Sequence, residues 1–373
     1  MDTTDSDSNR PGVTEQALKS PWKRRTVLSA LGLLGVGGGA IAALGYSYSV
    51  PPYRGPVSDH FDGDKFFNPG APPQRGLIDV LRWMTNREMG MWPEFTPADP
   101  GPPPPKRVDD LRVTFVNHSS VLIQMNGLNI LTDPVWSERI SPVAWVGPKR
   151  HCPVGIRFED LPPIDVILLT HNHYDHLDAP TMRRLARDHR PRIYTALGNT
   201  AFLETIGVGN AHDMDWWDQT DLGNGIRLTC TPAQHFANRG LFDRDTTLWC
   251  GFMLEGTAGQ IYFAGDTGVG PHFDRIADRF TAIRLALLPI GAYRPRWFMS
   301  PVHMGPDDAV LVHKRLNAAA SMGIHFGTFA QADDGEEEPV ELLNESLDNE
   351  GIPRERFRAL KNGEGWDIPP RTA

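Results

Sequence analysis

Residues 165–180 read DVILLTHNHYDHLDAP, and two very different patterns meet in this stretch. Val166 to Leu169 form an uninterrupted apolar run, which predicts a short strand buried on both faces. Directly after it, three histidines and two aspartates fall within eight residues, 171–178. Imidazole and carboxylate groups are ligands that suit Zn²⁺, and also iron or manganese. The stretch therefore predicts a strand that ends in a metal site.

Histidine or aspartate also stands at the end of three other apolar segments. His235 follows LTCTPAQ, Asp266 follows IYFAG, and His325 lies in the last segment, SMGIHFGTFA. If these strand ends meet at one edge, two adjacent cations could lower the pKa of a shared water and hold both ends of a displacement at phosphorus. We expect two centres bridged by a carboxylate: one with His171, His173 and His235, the other with Asp175, His176 and His325, and Asp266 between them.

The composition limits the classes of protein to consider. The chain has 373 residues, 40% of them hydrophobic, which is enough for a sizeable core. Its formal net charge of −9 disfavours nucleic acid as a partner. The three cysteines show no C-x-x-C spacing, so neither a disulfide framework nor a thiolate zinc site is expected. Six further histidines are expected to be structural or, for His313, solvent-exposed: His60, His151, His189, His212, His272 and His313.

Residues 1–50 have the features of a tail and a targeting or anchoring segment. A basic run, residues 23–25, precedes an uncharged, Gly-rich apolar stretch from Thr26 to Tyr46. That stretch is long enough to span a bilayer, and its paired arginines resemble a twin-arginine export signal. A cleaved signal and a retained anchor both stay open. We expect the protein to be membrane-associated or exported to the periplasmic, extracytoplasmic side.

Residues 51–106 are rich in proline, which predicts an extended arm in front of the main domain, residues 107–373. Within the arm, GLIDVLRWMTNR has helical spacing, with an apolar face formed by Leu77, Val80, Leu81 and Met84. The arm also carries several large aromatic and methionine side chains, namely Trp83, Met84, Met89, Met91 and Trp92. We expect them to form either a wall beside the metal site or a small separate core.

From Leu111 onward, short strands alternate with helices. The dipeptide Asn126-Gly127 between two apolar runs predicts a tight hairpin. Segments 179–189, 271–280 and 305–319 have the spacing and first-turn residues of helices. The pattern predicts an α/β fold of two packed sheets with helices outside them.

The motif THNHYDHLD resembles the H-x-H-x-D-H signature of the metallo-β-lactamase superfamily. The segments LTDPVWSERISPVAWVGPKR, TPAQHF, FAGDTG, GAYRPRWFMSPVHMGPDDAV and IHFGTFA closely resemble the N-acylphosphatidylethanolamine-hydrolysing phospholipase D family. The likeness spans about residues 107–365. It implies a four-layer αββα sandwich with metals at the sheet edge. It also implies a di-zinc phosphodiesterase that releases phosphatidic acid and N-acylethanolamine.

The resemblance also assigns roles to residues. The family's metal positions match the seven ligand candidates named above, and its further active-site histidine matches His303 in SPVHMGP. Asp266 is then both ligand and catalytic bridge, and Tyr174 is a candidate either for positioning the substrate or for packing beneath the metals. The implied cofactor is two Zn²⁺ ions, with other divalent metals as alternatives.

The expected partners are a phospholipid substrate and a membrane surface, and a homodimer is one expected assembly. The basic, apolar N-terminus is not part of the family's motif set, which leaves the natural lipid open. The alternative function is a metal-dependent lactonase or small phosphodiester hydrolase of the same fold. A metal-bound scaffold without catalysis is disfavoured, because structural zinc sites are closed and usually rich in cysteine.

Overall fold

The computed structural model describes residues 49–72 and 75–371. Among the described residues, 50–239 and 243–371 belong to one compact unit, which contains the arm and all the proposed metal ligands. The predicted targeting stretch, residues 26–46, lies outside the described residues. Among the helices of the described part, none is both long and apolar enough to cross a bilayer.

In the described part of the chain, fourteen strands form two sheets of seven. The first sheet contains β1 (Leu111–Asn117), β2 (Ser120–Met125), β3 (Leu128–Thr132), β4 (Val166–Leu169), β5 (Arg192–Ala196), β6 (Ala211–Met214) and β14 (Gly365–Asp367). Their order across the sheet is β14-β1-β2-β3-β4-β5-β6. The second sheet contains β7 (Gln219–Gly223), β8 (Ile226–Thr231), β9 (Gly251–Gly256), β10 (Gly259–Phe263), β11 (Ile283–Pro289), β12 (Ala320–Ile324) and β13 (Phe357–Arg358). Their order is β13-β12-β11-β10-β9-β8-β7.

The predicted hairpin connects β2 to β3. Met125 pairs with Leu128 in antiparallel register, so Asn126 and Gly127 form a two-residue turn. Both turn residues have positive φ, 48° and 75°, which asparagine and glycine tolerate better than other residues. The hairpin prediction is confirmed.

Seven α-helices and one short 3₁₀ helix, Phe158–Asp160, accompany the sheets in the described residues. The α-helices are α1 (Leu77–Thr85), α2 (Ala179–Asp188), α3 (Asn199–Thr205), α4 (His272–Arg279), α5 (Arg296–Met299), α6 (Pro306–Arg315) and α7 (Glu338–Asn349). The three segments predicted to be helical correspond to α2, α4 and α6. The last is shorter than predicted, since it ends at Arg315 and β12 begins at Ala320.

Three apolar layers hold the structure together. The central layer lies between the sheets and includes Ile123 and Leu168 of the first sheet and Phe252 of the second. A second layer packs α2 and α3 on the outer face of the first sheet. A third packs α4, α6 and α7 on the outer face of the second sheet. The four-layer αββα sandwich is confirmed.

Helix α1 forms in the arm as predicted, but it packs through a different face. The Trp83 ring stacks on Phe298 with 4.9 Å between centroids. Three of the four residues of the predicted packing face are instead mostly in solvent, with Leu77 74%, Leu81 53% and Met84 63% exposed. Helical spacing identified an apolar stripe correctly, but it could not show that the main domain leaves this stripe uncovered.

Candidate metal centre and substrate cavity

The proposed ligands follow strands that end at the same edge of the sandwich. Strands β10, β11 and β12 are parallel, and β8 runs in the same direction, since β8 and β10 both pair antiparallel with β9. His235, Asp266 and His325 come after β8, β10 and β12. In the first sheet, β4 lies parallel to β3 and β5 and leads into residues 171–176. Open α/β sheets commonly bind ligands outside such carboxyl ends.

His171, His173 and His235 form a first cluster. His171 Nε2 lies 2.8 Å from His173 Nδ1, and His235 Nε2 lies 3.3 Å from the same atom. His235 Nδ1 donates to the Val302 carbonyl at 2.9 Å, so the Nε2 of the neutral ring carries a lone pair that faces the cluster. Three imidazole nitrogens that converge in this way form a ligand set found in catalytic zinc sites.

Asp175, His176, Asp266 and His325 form a second cluster. His176 Nε2 lies 3.2 Å from both Asp175 Oδ2 and Asp266 Oδ2. His325 Nε2 lies 3.2 Å from Asp175 Oδ2 and 3.0 Å from Asp266 Oδ2. Asp266 Oδ2 is also 3.7 Å from His235 Nε2 of the first cluster. The Asp266 carboxylate therefore lies between the clusters, where a bridging ligand would have to be.

Asp133 orients His176, although the sequence analysis gave this aspartate no role. Its carboxylate accepts hydrogen bonds from His176 Nδ1 at 2.7 Å, and from the backbone N–H and hydroxyl of Thr170 at 2.8 and 2.7 Å. With Nδ1–H held by Asp133, Nε2 is the ring nitrogen that faces the carboxylates of Asp175 and Asp266, where a cation would bind. Carboxylates commonly hold metal-binding histidines from behind. A strand-end aspartate in LTDP, after β3, was the signal that could have found it.

The second cluster concentrates negative charge in a buried place. Burial opposes the ionisation of Asp266, but the imidazoles of His176 and His325 together hold the pKa of its carboxyl well below the usual range. Burial also opposes a charged His176, yet Asp266, Asp175 and Asp133 raise its pKa well above the ordinary value. The same balance, with Asp266 as the largest attraction, raises the pKa of His325 to about 9. The cluster thus favours an added positive charge.

Burial has the opposite effect on the first cluster. Burial and the neighbouring imidazoles hold the pKa of His171 well below its ordinary value. Burial also lowers the pKa of His173 to about 3, and that of His235 falls well below its usual range for the same reason. Neutral imidazoles are the form that binds a metal ion.

The residues present fit a pair of metal ions. His176 Nε2 and Asp266 Oδ1 are buried and have no hydrogen-bond partner among the described residues. Leaving such a group unsatisfied costs about 1–3 kcal/mol, which a metal–ligand bond would remove. The ligand atoms of His171, His176 and Asp266, drawn from both clusters, all lie within 4.8 Å of one another, and so do those of the set His118, Asp175, His176 and His325. Imidazole and carboxylate donors suit zinc, iron or manganese.

His303 lies beside both clusters. Its Nδ1 is 4.0 Å from Asp266 Oδ2, and its ring centroid is 5.0 Å from that of His235 and 5.3 Å from that of His325. Burial lowers its pKa to about 4, so the ring is neutral near pH 7. With His235 and Asp266 it also forms a set that could hold a metal ion.

Tyr174 is half-buried and lines the cavity described below. The Arg239 guanidinium lies over its ring, 4.0 Å from the centroid. The ring also packs against the small apolar cluster of Val135, Ile140 and Phe329. These contacts leave both of its predicted roles, positioning and packing, as predictions.

Two other residues that the sequence analysis did not single out contact Asp175. His118 Nε2 and Gln331 Nε2 lie 3.0 and 2.8 Å from Asp175 Oδ2. His118 follows β1 in VNHSS, and no acidic residue is near it in sequence, so only its position at a strand end could have drawn attention to it. The histidines expected to be ordinary lie outside the two clusters, but His313 is buried and bonded to Ser321 Oγ, which corrects the prediction of solvent exposure.

A cavity of about 450 Å³ reaches the clusters. Its polar part includes His173, Asp175, Asp266 and His303, and two arginines, Arg75 and Arg244, also line it. Most of its wall is apolar. Val80 and Trp83 of α1 contribute to this wall, together with Ile140, Phe236, Phe298, Met299 and Val302. Trp83 thus contributes to the cavity wall, as the prediction of a wall beside the metal site expected. Met84, Met89 and Met91 do not line the cavity and are at least half exposed.

Comparison with known proteins agrees with the fold. A β-lactamase superfamily domain model matches residues 128–326. The structure of a metallo hydrolase from the archaeon Ignicoccus hospitalis aligns with a TM-score of 0.52 and 20% identity, covering 69% of this chain and 99% of that one. Identity this low supports the fold alone. The fold, the site and the matching model define a metal-dependent hydrolase of the metallo-β-lactamase type.

Two relatives narrow the assignment. An N-acyl-phosphatidylethanolamine-hydrolyzing phospholipase D of Caenorhabditis elegans is 36% identical over 274 residues, which cover 70% of this chain and 77% of the relative. The mitochondrial enzyme of that name from Saccharomyces cerevisiae is 36% identical over 236 residues, 62% of this chain and 50% of the relative. The chain belongs to the N-acylphosphatidylethanolamine-hydrolysing phospholipase D family of the metallo-β-lactamase superfamily.

Proposed function

We propose that this protein is a di-zinc phosphodiesterase that hydrolyses N-acylphosphatidylethanolamine-type phospholipids. The products are phosphatidic acid and free N-acylethanolamine. The observation that carries the proposal is the cavity, because an apolar wall leads directly to a cluster of imidazoles and carboxylates. Such a shape suits a substrate with long acyl chains and a phosphodiester, and the names of the two relatives point to the same substrate.

The ions would be held by the seven residues of the first and second clusters, with Asp266 as the shared ligand. When bound, two divalent ions supply an activated water and positive charge for the phosphoryl oxygens. In the overall reaction, the oxygen of water bonds to phosphorus, the bond from phosphorus to the ethanolamine oxygen breaks, and that oxygen takes up a proton.

The chain's own side chains would orient the lipid. Arg75 and Arg244 place positive charge in the cavity, where it would attract a phosphate. The neutral His303 ring keeps one N–H and would donate it to a phosphoryl oxygen. The rings of Trp83, Phe236 and Phe298 would exclude water from the acyl chains.

The direct test is lipid mass spectrometry after purified protein has been incubated with a mixed phospholipid extract. We expect N-acylphosphatidylethanolamines to disappear while phosphatidic acid and N-acylethanolamine appear in equal amounts. If the extract is unchanged but a lactone or a small soluble phosphodiester is hydrolysed, the alternative function replaces this one.

The matched control is Asp266→Ala. Wild-type protein should carry about two metal ions per chain. The variant should carry fewer and should release no products, because the shared ligand is lost. Full activity in this variant would contradict the two-ion centre.

A further inference from the structure

His118 lies in the turn between β1 and β2, outside the H-x-H-x-D-H motif. It is buried, with 1% of its surface exposed. Its ring centroid is 4.1 Å from that of His325 and 5.7 Å from that of His176, both members of the second cluster. The side chain is therefore close to the second cluster.

Within the part of the chain that the structure describes, the His118 side chain makes one polar contact, with a proposed ligand. Its Nε2 lies 3.0 Å from Asp175 Oδ2. Because an ionised carboxylate can only accept hydrogen bonds, the ring must donate through Nε2–H. Gln331 Nε2 donates to the same oxygen at 2.8 Å. Two donors thus fix the rotation of the Asp175 carboxylate.

The His118 backbone makes a second contact with the same cluster. Its carbonyl accepts a hydrogen bond from the His325 N–H at 2.8 Å, and its own N–H donates to Thr328 Oγ1 at 3.1 Å. Both His118 and His325 have positive φ, 48° and 61°, a backbone conformation that costs non-glycine residues about 1–3 kcal/mol. The turn between β1 and β2 of the first sheet therefore holds His325, a proposed ligand that follows β12 of the second sheet.

We propose that His118 is a positioning residue of the second cluster, where its side chain holds Asp175 and its carbonyl holds His325. The inference rests on the proposed metal centres but not on the proposed substrate. Among the described contacts, none joins His118 to His171, His173 or His235. Loss of its side chain should therefore weaken metal binding at the second cluster and leave the first unaffected.

The test is a pair of variants that differ by one methylene. In His118→Gln, the longer amide can reach Asp175 and donate as Nε2–H does. In His118→Asn, the shorter amide cannot reach it, yet asparagine tolerates the positive φ at this position, so the variant should fold. Zn²⁺ is titrated into the metal-free proteins by calorimetry, and Co²⁺ absorption spectra report the ligands at each centre.

We expect two binding events in the wild type and in the Gln variant. In the Asn variant, the second-cluster event should weaken by about 10–100-fold, the usual effect of removing a group that orients a metal ligand. The first-cluster event should stay the same. His313→Asn is the control, because it removes another buried histidine whose side chain hydrogen-bonds to Ser321 and contacts neither cluster among the described residues. It should bind both ions normally.

Three results would overturn the proposal. The first is an Asn variant that binds both ions as tightly as the wild type. The second is a Gln variant as weak as the Asn variant with an altered Co²⁺ spectrum, because His118 would then itself be a ligand. The third is a wild type that binds no ion at the second cluster, which would also remove that centre from the proposed function.

Discussion

At the scale of single residues, the open question for His303 is whether it binds a metal ion or contacts the substrate phosphate. Its Nδ1 has no hydrogen-bond partner among the described residues and lies 4.0 Å from the shared carboxylate of Asp266. If it contacts the phosphate, His303→Ala should keep its metal ions and lose turnover by about 10²–10³-fold. Metal analysis and turnover are measured on the same preparation. Loss of metal in step with activity would make His303 a ligand, as its place beside His235 and Asp266 also permits.

His313 offers a prediction on pH and stability that is independent of the metals. Burial lowers its pKa to about 4 in the folded protein, against about 6.5 in an unfolded chain. Below pH 6.5 the unfolded chain therefore binds a proton that the folded chain does not, and stability is lost as the pH falls toward 4. Between pH 7 and 5, the wild type should lose about 1–2 kcal/mol more unfolding free energy than His313→Gln.

Urea unfolding of both proteins at the two pH values measures this difference, and groups common to both cancel. Equal losses would mean that His313 is exposed to protons in the folded state. The sequence could not predict this burial, because the neighbouring Lys314 and Arg315 suggest a solvent-exposed helix face. The His313 side chain instead points inward and bonds to Ser321 of β12.

The proposed ligands were found from sequence because they share one rule, that a polar residue follows an apolar strand. Residues 171–176 obey it after β4, and His235, Asp266 and His325 obey it after β8, β10 and β12. Asp133 and His118 obey the same rule after β3 and β1 but stand alone in sequence. Their importance arises from contacts with His176 and Asp175, and such long-range pairings are created by the fold.

At the scale of elements, strand β4 shows what local pattern can establish. Its four residues, predicted to be buried on both faces, are all fully buried. Helix α1 shows the limit. Its spacing predicts a helix, but the choice of packing face depends on Phe298, which is distant in sequence and stacks on Trp83.

The exposed apolar side chains of α1, Leu77, Ile78 and Leu81, form a stripe that leads to a prediction about the bilayer. Leu77, Ile78 and Leu81 are 74%, 83% and 53% exposed, on a helix whose Val80 and Trp83 line the cavity. If the substrate comes from a membrane, this stripe should enter it. Burying each side chain contributes about 1.5–3 kcal/mol, so changing all three to Gln should weaken vesicle binding at least about tenfold.

Vesicle co-sedimentation and turnover of vesicle substrate should both fall in this variant, while turnover of a short-chain soluble phosphodiester should not. Leu311→Gln is the matched control, since Leu311 is 55% exposed on α6 and lines none of the described cavity. Unchanged vesicle binding by the α1 variant would show that another surface meets the lipid.

At the scale of the whole molecule, the alternation of strands and helices predicts two sheets with helices outside. The order of the strands within each sheet could not be read from the sequence, because β14 returns from the end of the chain to pair with β1. That pairing also brings the C-terminal segment to the first sheet. The compact unit begins at residue 50, where Val50 is buried and its N–H donates to Asp243 at 2.7 Å.

The last prediction concerns residues 1–48, which contain no proposed ligand. Protein that lacks them should fold, bind metal and cleave micellar substrate. In a bacterial host, changing Arg24 and Arg25 of the full-length chain to lysine should block export, because the twin-arginine route reads the arginine pair and not only its charge. Cell fractionation measures the distribution, and Arg54→Lys, beyond the apolar stretch, is the control. An unchanged distribution in the double variant would exclude that route and leave an ordinary membrane anchor.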